Sequence, residues 1–518
     1  MLKEKANIAP LSFVLPCILI FFVISAIGIY NHELWLDEAQ HFLIARDSDS
    51  LVSLYSNMQY DGHVRLWNYL LFFITHYISS NPVAMQTFHL LIITATVYIF
   101  LRFSPFDFIT KLLIISGYFF LYEYNVISRN YALGILFLFA CCMLLANEKK
   151  NVWWIGLMMI LMCNTHLFFS FSVSGIFVFI FYKRLSAKNF DRSFFILLFF
   201  FVLAITSVVV QIKIPNDNTY FHPEQGRWNS WDNFWVAFYG IAKGFLPLPL
   251  SKNGDFWNHF IFDKLSDSLK MFFSFIIIGY PFVLLGKNKP ALLFYVCSVF
   301  LLFSFLFVSQ SWASRYYGMA FIFFIAAAWL AGNNAITIFS TEKFRQASIF
   351  TKVYYGFIYL ILGCHIFSGA YAYINDLVRP FTVAKEVSQY LKLNQEDKGV
   401  VVMDGYGAGP ALSAYLGKRV FYLNIDTPGS YCYWKKSYFE TSMGPLNPQF
   451  KNSTFAASHD KFLMVSIRGI KDKQMQCDSS VFEFQMLESF RNGIIKPDYY
   501  IYSVMKKPNV VVAVNENK

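Results

Sequence analysis

Apolar runs long enough to cross a bilayer, about 17 to 25 residues each, recur along this chain from residue 11 to residue 375 and then stop. Hydropathy, taken together with the short basic loops, predicts spans near 11–29, 66–80, 86–101, 131–146, 152–164, 167–182, 193–213, 269–286, 290–308, 315–331 and 353–375. Residues 109–122 form a 14-residue apolar run, too short for a comfortable crossing and typical of a tilted or re-entrant piece. Counting it as partial places Arg129 beside Asp37, and Lys149 with Lys150 then lies inside after one more crossing, which favours that count. The first run follows Lys3 and Lys5, but it exceeds the apolar core of a signal peptide and no small-x-small cleavage site follows, so it reads as a retained helix.

The polar remainder falls into three blocks. Residues 30–64 carry Leu36, Phe42, Leu43, Leu51, Leu54 and Tyr55 at near-helical spacing among charges, a pattern that predicts short amphipathic helices on the membrane surface. Residues 214–268 hold Pro215, Pro223, Pro247 and Pro249 with Trp228, Trp231 and Trp235, aromatics that favour the headgroup level, so this loop is expected to rest on the bilayer. Residues 376–518 read as a soluble α/β domain: a strand at 400–403, a turn at Asp404-Gly405-Tyr406-Gly407, a helix at 410–416, a strand at 419–423, and later strands at 462–467, 499–505 and 510–514. The Gly405-x-Gly407-x-Gly409 spacing lacks the remaining glycine and acidic partner of a dinucleotide fingerprint. The fold class is therefore a polytopic α-helical membrane protein of about 11–13 transmembrane helices, residues 1–375, with a C-terminal α/β domain.

Composition agrees with that reading and removes one alternative. The 518 residues are 56% hydrophobic and 20% aromatic, with 60 Phe and 32 Tyr, more apolar surface than one soluble core hides. The net charge of +11 would suit a polyanion, but the membrane-part cations gather in short loops: Lys149 and Lys150, Lys183 and Arg184, Lys287 and Lys289, Lys343 and Arg345. That distribution orients the chain and argues against a nucleic-acid partner. With the N-terminus cytoplasmic, all three polar blocks share the opposite compartment. Six cysteines lie in apolar segments as small hydrophobes; Cys432 and Cys477 lie in the soluble part, where an oxidising compartment would leave a disulfide open.

In a chain only 14% charged, the adjacent acids Asp37 and Glu38 directly after the first span point to chemistry, since a carboxylate can take a proton from a hydroxyl or hold a metal ion. The bland reading is a pair of interfacial acids at a helix N-terminus. Asp61, His63 and Arg65 close the same polar block; Arg65 suits a phosphate, or else snorkels to headgroups. Glu123, Arg129 and Tyr131 precede the run at 131–146, His166 interrupts a later one, and Arg315 with Tyr316 opens another. Together these place several cations on the face that carries the two acids, an arrangement suited to a phosphodiester leaving group.

The order of these elements resembles that of the polyprenyl-phosphate-sugar glycosyltransferases of the GT-C fold, which include dolichyl-phosphate-mannose protein mannosyltransferases and the bacterial aminoarabinose transferase of lipid A. LWLDEAQHFLIA is similar to the family's acidic pair in the first outer loop, and DGHVRLWNYLLF to the motif opening the next helix, with Val64 and Arg65 replacing its paired prolines. SRNYAL, CNTHLF and SRYYGMAF resemble the arginine-tyrosine, threonine-histidine and arginine-tyrosine elements that follow, and VVVMDGYGAGPALSAYLGKRVFYL resembles more loosely the outer strand, helix and strand.

The resemblance implies an integral-membrane transferase moving a sugar from a polyprenyl-phosphate carrier to a glycan, lipid or protein acceptor, with lipid A among the candidates. The bacterial relatives fit better than the eukaryotic ones, which implies an inner membrane with the site facing the periplasm. Asp37 would be the general base, and Glu38 would orient the site, help bind the acceptor or hold an ion. Arg65, Arg129, Tyr131, His166, Arg315 and Tyr316 would bind the donor phosphate, and Asp61, His63 and Glu123 the acceptor or secondary groups. No cofactor is certain; a divalent cation, held by Asp37 and Glu38, is left open. Two other classes remain in view: a transporter or flippase of a lipid-linked glycan, expected to show repeated halves and mid-helix charges, and a non-catalytic assembly subunit whose polar motifs only anchor helices.

Overall fold

A computed structural model of the chain describes residues 8–219, 231–251, 255–309, 313–332, 349–469 and 481–507. Trp228, Pro223, Lys343, Arg345, Cys477 and the expected strand at 510–514 lie outside these residues. The architecture is mostly helical. Among the described residues, eight helices are long and apolar enough to cross a membrane. In chain order, α1 is Leu11–Asn31, α2 Leu36–Arg46, α3 Leu51–Asn57, α4 Leu66–Tyr77, α5 Pro82–Phe103 and α6 Phe108–Ile115. There follow α7 Asn130–Leu145, α8 Val152–Thr165, α9 Leu167–Ser186, α10 Arg192–Gln211, α11 Trp231–Phe245, α12 Asp267–Leu285, α13 Lys289–Ser309, α14 Ser314–Ala331 and α15 Ile349–Val378.

The starts of these helices are written locally. Asn81, Asp107 and Asp191 each accept a hydrogen bond from a backbone N–H of the following first turn, as capping residues do. Close packing then depends on small residues: a Cβ at Gly175 would stand 2.8 Å from the Phe294 carbonyl oxygen, so α9 and α13 approach backbone to backbone only because no side chain intervenes. Helix α14 is enclosed almost completely, with every residue from Tyr317 to Trp329 buried.

Three of the expected crossings are short helices. Helices α4, α7 and α8 have 12, 16 and 14 residues, giving about 18 to 24 Å of length against an apolar layer of about 30 Å. The short run at 109–122 is broken, as its length suggested: α6 ends at Ile115 and a wide turn occupies Phe119–Glu123. Helix α15 crosses this break so closely that a Cβ on Gly369 would lie 3.1 Å from the Tyr118 nitrogen.

The C-terminal region, after a helix α16 (Ala384–Leu393), builds a six-stranded mixed sheet in the order β3-β2-β1-β4-β6-β5. Its strands are β1 Val401–Asp404, β2 Val420–Tyr422, β3 Thr427–Gly429, β4 Lys461–Ser466, β5 Phe482–Phe490 and β6 Tyr499–Lys506. Strand β1 pairs in parallel with β2 and β4, and helix α17 (Gly409–Leu416) forms the β1-to-β2 crossover. The glycines of the turn serve packing: Gly405 has φ +106°, and a Cβ on Gly409 would meet the Tyr422 ring at 2.3 Å.

The three polar blocks pack on one another. Gln40 and the Cys432 backbone exchange two hydrogen bonds, Nε2 to the carbonyl at 2.7 Å and the Cys432 N–H to Oε1 at 2.8 Å. Asn218 donates to the Tyr60 carbonyl at 2.6 Å, and the Thr219 N–H donates to the Trp434 carbonyl at 2.8 Å. Helix α2 is therefore not a surface helix as expected: Glu38 to Ala45 are all buried, because the soluble domain covers the face that a lone amphipathic helix would rest on lipid. Helix α3 keeps the expected character, with Leu54 buried and Val52 exposed. In the block 214–268, Trp231 is exposed whereas Trp257 is buried.

Candidate functional site

Asp37 stands in the first turn of α2, where the helix N-terminus favours a negative charge. Its Oδ2 forms an ion pair with Arg129, the residue before α7, and lies 3.5 Å from Nη2 of Arg315 in the first turn of α14. Three positions separated by 92 and 278 residues thus meet at one oxygen. Burial alone would raise the Asp37 carboxyl, but the two guanidiniums outweigh it and hold the group below the usual carboxylate range. The carboxylate remains 23% exposed, whereas Arg129 and Arg315 are 4% and 15% exposed.

Aromatic rings hold the cations. Arg129 lies 5.7 Å from the centroids of both Trp35 and Tyr131, and Arg315 lies 5.0 Å from Trp35, 5.6 Å from Trp257 and 4.8 Å from Tyr316. The Tyr124 hydroxyl donates to the Arg315 carbonyl at 2.6 Å, fixing the start of α14. Among the described residues, Nε of Arg129, Nε of Arg315 and the Tyr131 hydroxyl are buried without a hydrogen-bond partner. With one carboxylate between two guanidiniums, this cluster has donors to spare and a positive excess.

From Tyr131 a file of rings runs toward the soluble domain. The Tyr131 and His166 rings lie tilted at 4.5 Å, His166 is 5.6 Å from His63, and His63 meets His41 edge-on at 5.2 Å. His166 caps α9, its Nδ1 accepting from the Phe168 N–H at 3.2 Å, which puts the ring proton on Nε2. Asp61 lies beside His41 and His63, with Oδ2 3.6 and 3.8 Å from their Nδ1 atoms. Burial pushes the His41 imidazole down despite the nearby Asp61 carboxylate.

Three expected members stand elsewhere. Glu38 points away from Asp37: Oε1 accepts from the Ser128 N–H at 2.6 Å, and Oε2 accepts from the Trp35 N–H at 3.2 Å and contacts His32 at 3.0 Å. His32 in turn reaches Asp376 at 2.7 Å, tying the end of α1 to the end of α15. Burial lowers the His32 imidazole, yet the Asp376 and Glu38 carboxylates outweigh it and push it up to about 10. An ion held jointly by Asp37 and Glu38, as the sequence allowed, has no support in this geometry, because adjacent helical side chains point about 100° apart.

Arg65 contacts Gln211, donating from Nη1 to its carbonyl at 2.9 Å, and covers the Tyr55 ring at 3.9 Å; it serves the C-terminal end of α10 instead of meeting Asp37. Glu123 accepts from Tyr118 at 2.8 Å, Trp257 at 3.0 Å and Ser314 at 2.9 Å, a buried brace behind Arg315. The sequence reading overlooked Trp35, Trp257 and His41. The last was legible, since it lies four residues beyond Asp37 on the same helix.

No protein-family model matches the chain, and no curated protein matches it either. The reading of this site therefore rests on its own geometry and on the order of its motifs.

Proposed function

We propose that this chain is an integral-membrane glycosyltransferase of the GT-C kind, transferring a sugar from a polyprenyl-phosphate carrier to a hydroxyl of an envelope acceptor. The observation that carries the proposal is the Asp37 carboxylate gripped by Arg129 and Arg315, whose Nε donors, with the Tyr131 hydroxyl, have no hydrogen-bond partner among the described residues. Two guanidiniums and one carboxylate leave a net charge of +1, which complements the single negative charge of a sugar phosphodiester. The second charge that develops as the phosphate departs is met by donors already in place, the arrangement that stabilises a transition state more than a ground state.

In the proposed reaction, the acceptor oxygen gives its proton to Asp37 as it bonds to the anomeric carbon. The bond from that carbon to the phosphate oxygen breaks, its electron pair stays on the phosphate, and attack from the opposite side inverts the anomeric configuration. Donor phosphate competes with Asp37 for the same guanidiniums, so binding it loosens the ion pairs and restores the basicity the carboxylate lacks while held. The clustering of the three polar blocks on one side suits a site facing the periplasm of a bacterial inner membrane.

The test combines two measurements. Mass spectrometry of lipid A, polysaccharide and protein from cells with and without the gene should reveal one envelope glycan that loses a sugar. The purified protein should release polyprenyl phosphate from the matching lipid-linked sugar. An unchanged set of glycans, together with redistribution of the lipid-linked sugar between leaflets, would replace the transferase with a flippase.

A further inference from the structure

The cluster at the far end of the ring file has a composition of its own. One ring nitrogen each from His41 and His63 and one carboxylate oxygen of Asp61 lie within 4.8 Å of one another. Ligand atoms around a tetrahedral zinc ion at 2.0 Å stand about 3.3 Å apart, and the separations from Asp61 Oδ2 to the two Nδ1 atoms are 3.6 and 3.8 Å. Small rotations of the side chains bring such a set onto one ion.

A second observation points the same way. Asp61 Oδ2 is buried without a hydrogen-bond partner among the described residues, while Oδ1 accepts from Trp434 Nε1 at 2.9 Å and from Gln40 Nε2 at 3.4 Å. The carboxylate is thus fixed by one oxygen so that the other faces the two imidazoles. Leaving that oxygen bare costs free energy that a cation recovers. Each imidazole is held in place by an oxygen acceptor: His41 Nδ1 lies 3.0 Å from Asn68 Oδ1, and His63 Nδ1 lies 2.6 Å from the Asp61 carbonyl. An ion bound at these nitrogens takes the place of their protons and of both contacts, so its uptake releases protons. Asn68 is itself anchored through its Nδ2, which donates to the His41 carbonyl at 3.2 Å.

We propose that His41, Asp61 and His63 bind one divalent transition-metal ion of the zinc type, which pins α2 to the turn before α4. Two imidazoles with one carboxylate suit zinc and disfavour magnesium or calcium, which take all-oxygen shells. Through Trp434 on Asp61 the ion also steadies the soluble domain over α2. The proposal is independent of glycosyl transfer, since it concerns groups that need not touch donor or acceptor.

The full chain, purified in detergent with its affinity tag removed and treated with a chelator, is titrated with Zn2+ alone, with Mg2+ as comparator. One equivalent of Zn2+ by elemental analysis, a Zn2+-dependent rise in melting temperature and no response to Mg2+ are expected. Asp61→Asn, which keeps an acceptor for Trp434, and His63→Ala, at a position 28% exposed, should each weaken Zn2+ binding at least tenfold while eluting as the parent does. Cobalt in place of zinc should give a four-coordinate visible spectrum that both variants lose. Zn2+ uptake below a tenth of an equivalent, or equal uptake by parent and both folded variants, overturns the proposal and leaves a hydrogen-bonded acid-imidazole cluster.

Discussion

Replacing Asp37 with Asn separates the two jobs assigned to one carboxylate. Asn keeps the shape of the first turn of α2 but cannot take a proton, so turnover should fall by about 10²- to 10⁴-fold, the usual contribution of a general base. Binding should move the other way. Two charges about 4 Å apart interact by roughly 4 kcal/mol at an effective dielectric of 20. Because Asp37 is 23% exposed, solvent takes most of that, leaving about 1 kcal/mol of released attraction. Freed from Asp37, Arg129 and Arg315 should bind polyprenyl phosphate roughly fivefold more tightly. The assay pairs thermophoretic binding of polyprenyl phosphate to the purified protein with its release from the lipid-linked sugar. A variant within about tenfold of the parent in turnover refutes the base assignment, and a variant that loses phosphate binding refutes the competition between carboxylate and phosphate.

Three further outcomes follow from particular contacts. Tyr131→Phe removes a buried hydroxyl that has no hydrogen-bond partner among the described residues, so the melting temperature should hold or rise while polyprenyl phosphate affinity drops about tenfold; a lower melting temperature with unchanged affinity contradicts its role. Glu38→Gln leaves His32 paired with Asp376 alone, so stability should fall by about 1 to 3 kcal/mol, seen as lost folded protein on size exclusion, while whatever folds still binds polyprenyl phosphate like the parent. The His32 imidazole, held at about 10 by Asp376 and Glu38 against burial, is charged in the folded protein and neutral in the unfolded chain above about pH 6.5. Its stabilisation is complete below that pH and drains away as pH rises toward 10, so melting temperature should fall across that window, and less steeply in His32→Asn; a flat profile in the parent refutes the arrangement.

The spanning helices were legible because their apolar runs are long and end in basic loops or caps, and the observed boundaries of α1, α9, α10 and α12 to α14 differ from expectation by a few residues. What hydropathy could not supply was length: α7 and α8 are apolar enough but stop short, and α4 has only 12 residues. In the soluble domain β1, β2, β4 and β6 showed as buried runs. Strand β5 escaped because, among the described residues, it pairs with β6 alone and most of its residues face solvent, so its sequence FEFQMLESF carries no deep apolar signal. Within the site, Asp37, Arg129 and Arg315 were readable as charges at helix starts. Glu38 and Arg65 were not, because their partners, His32 with Ser128 and Gln211, are chosen by tertiary packing.

The link from Glu38 through His32 to Asp376 sets a schedule for biogenesis. Asp376 is 344 residues beyond His32, and the backbone group that clasps Gln40 is 392 residues away. While the ribosome is still making the middle of the chain, the segment holding Asp37 has neither anchor. Asp37 therefore awaits neighbours made more than 300 residues later, and a nascent protein emerging into the membrane carries no fully anchored reaction centre until Asp376 and Cys432 have been made.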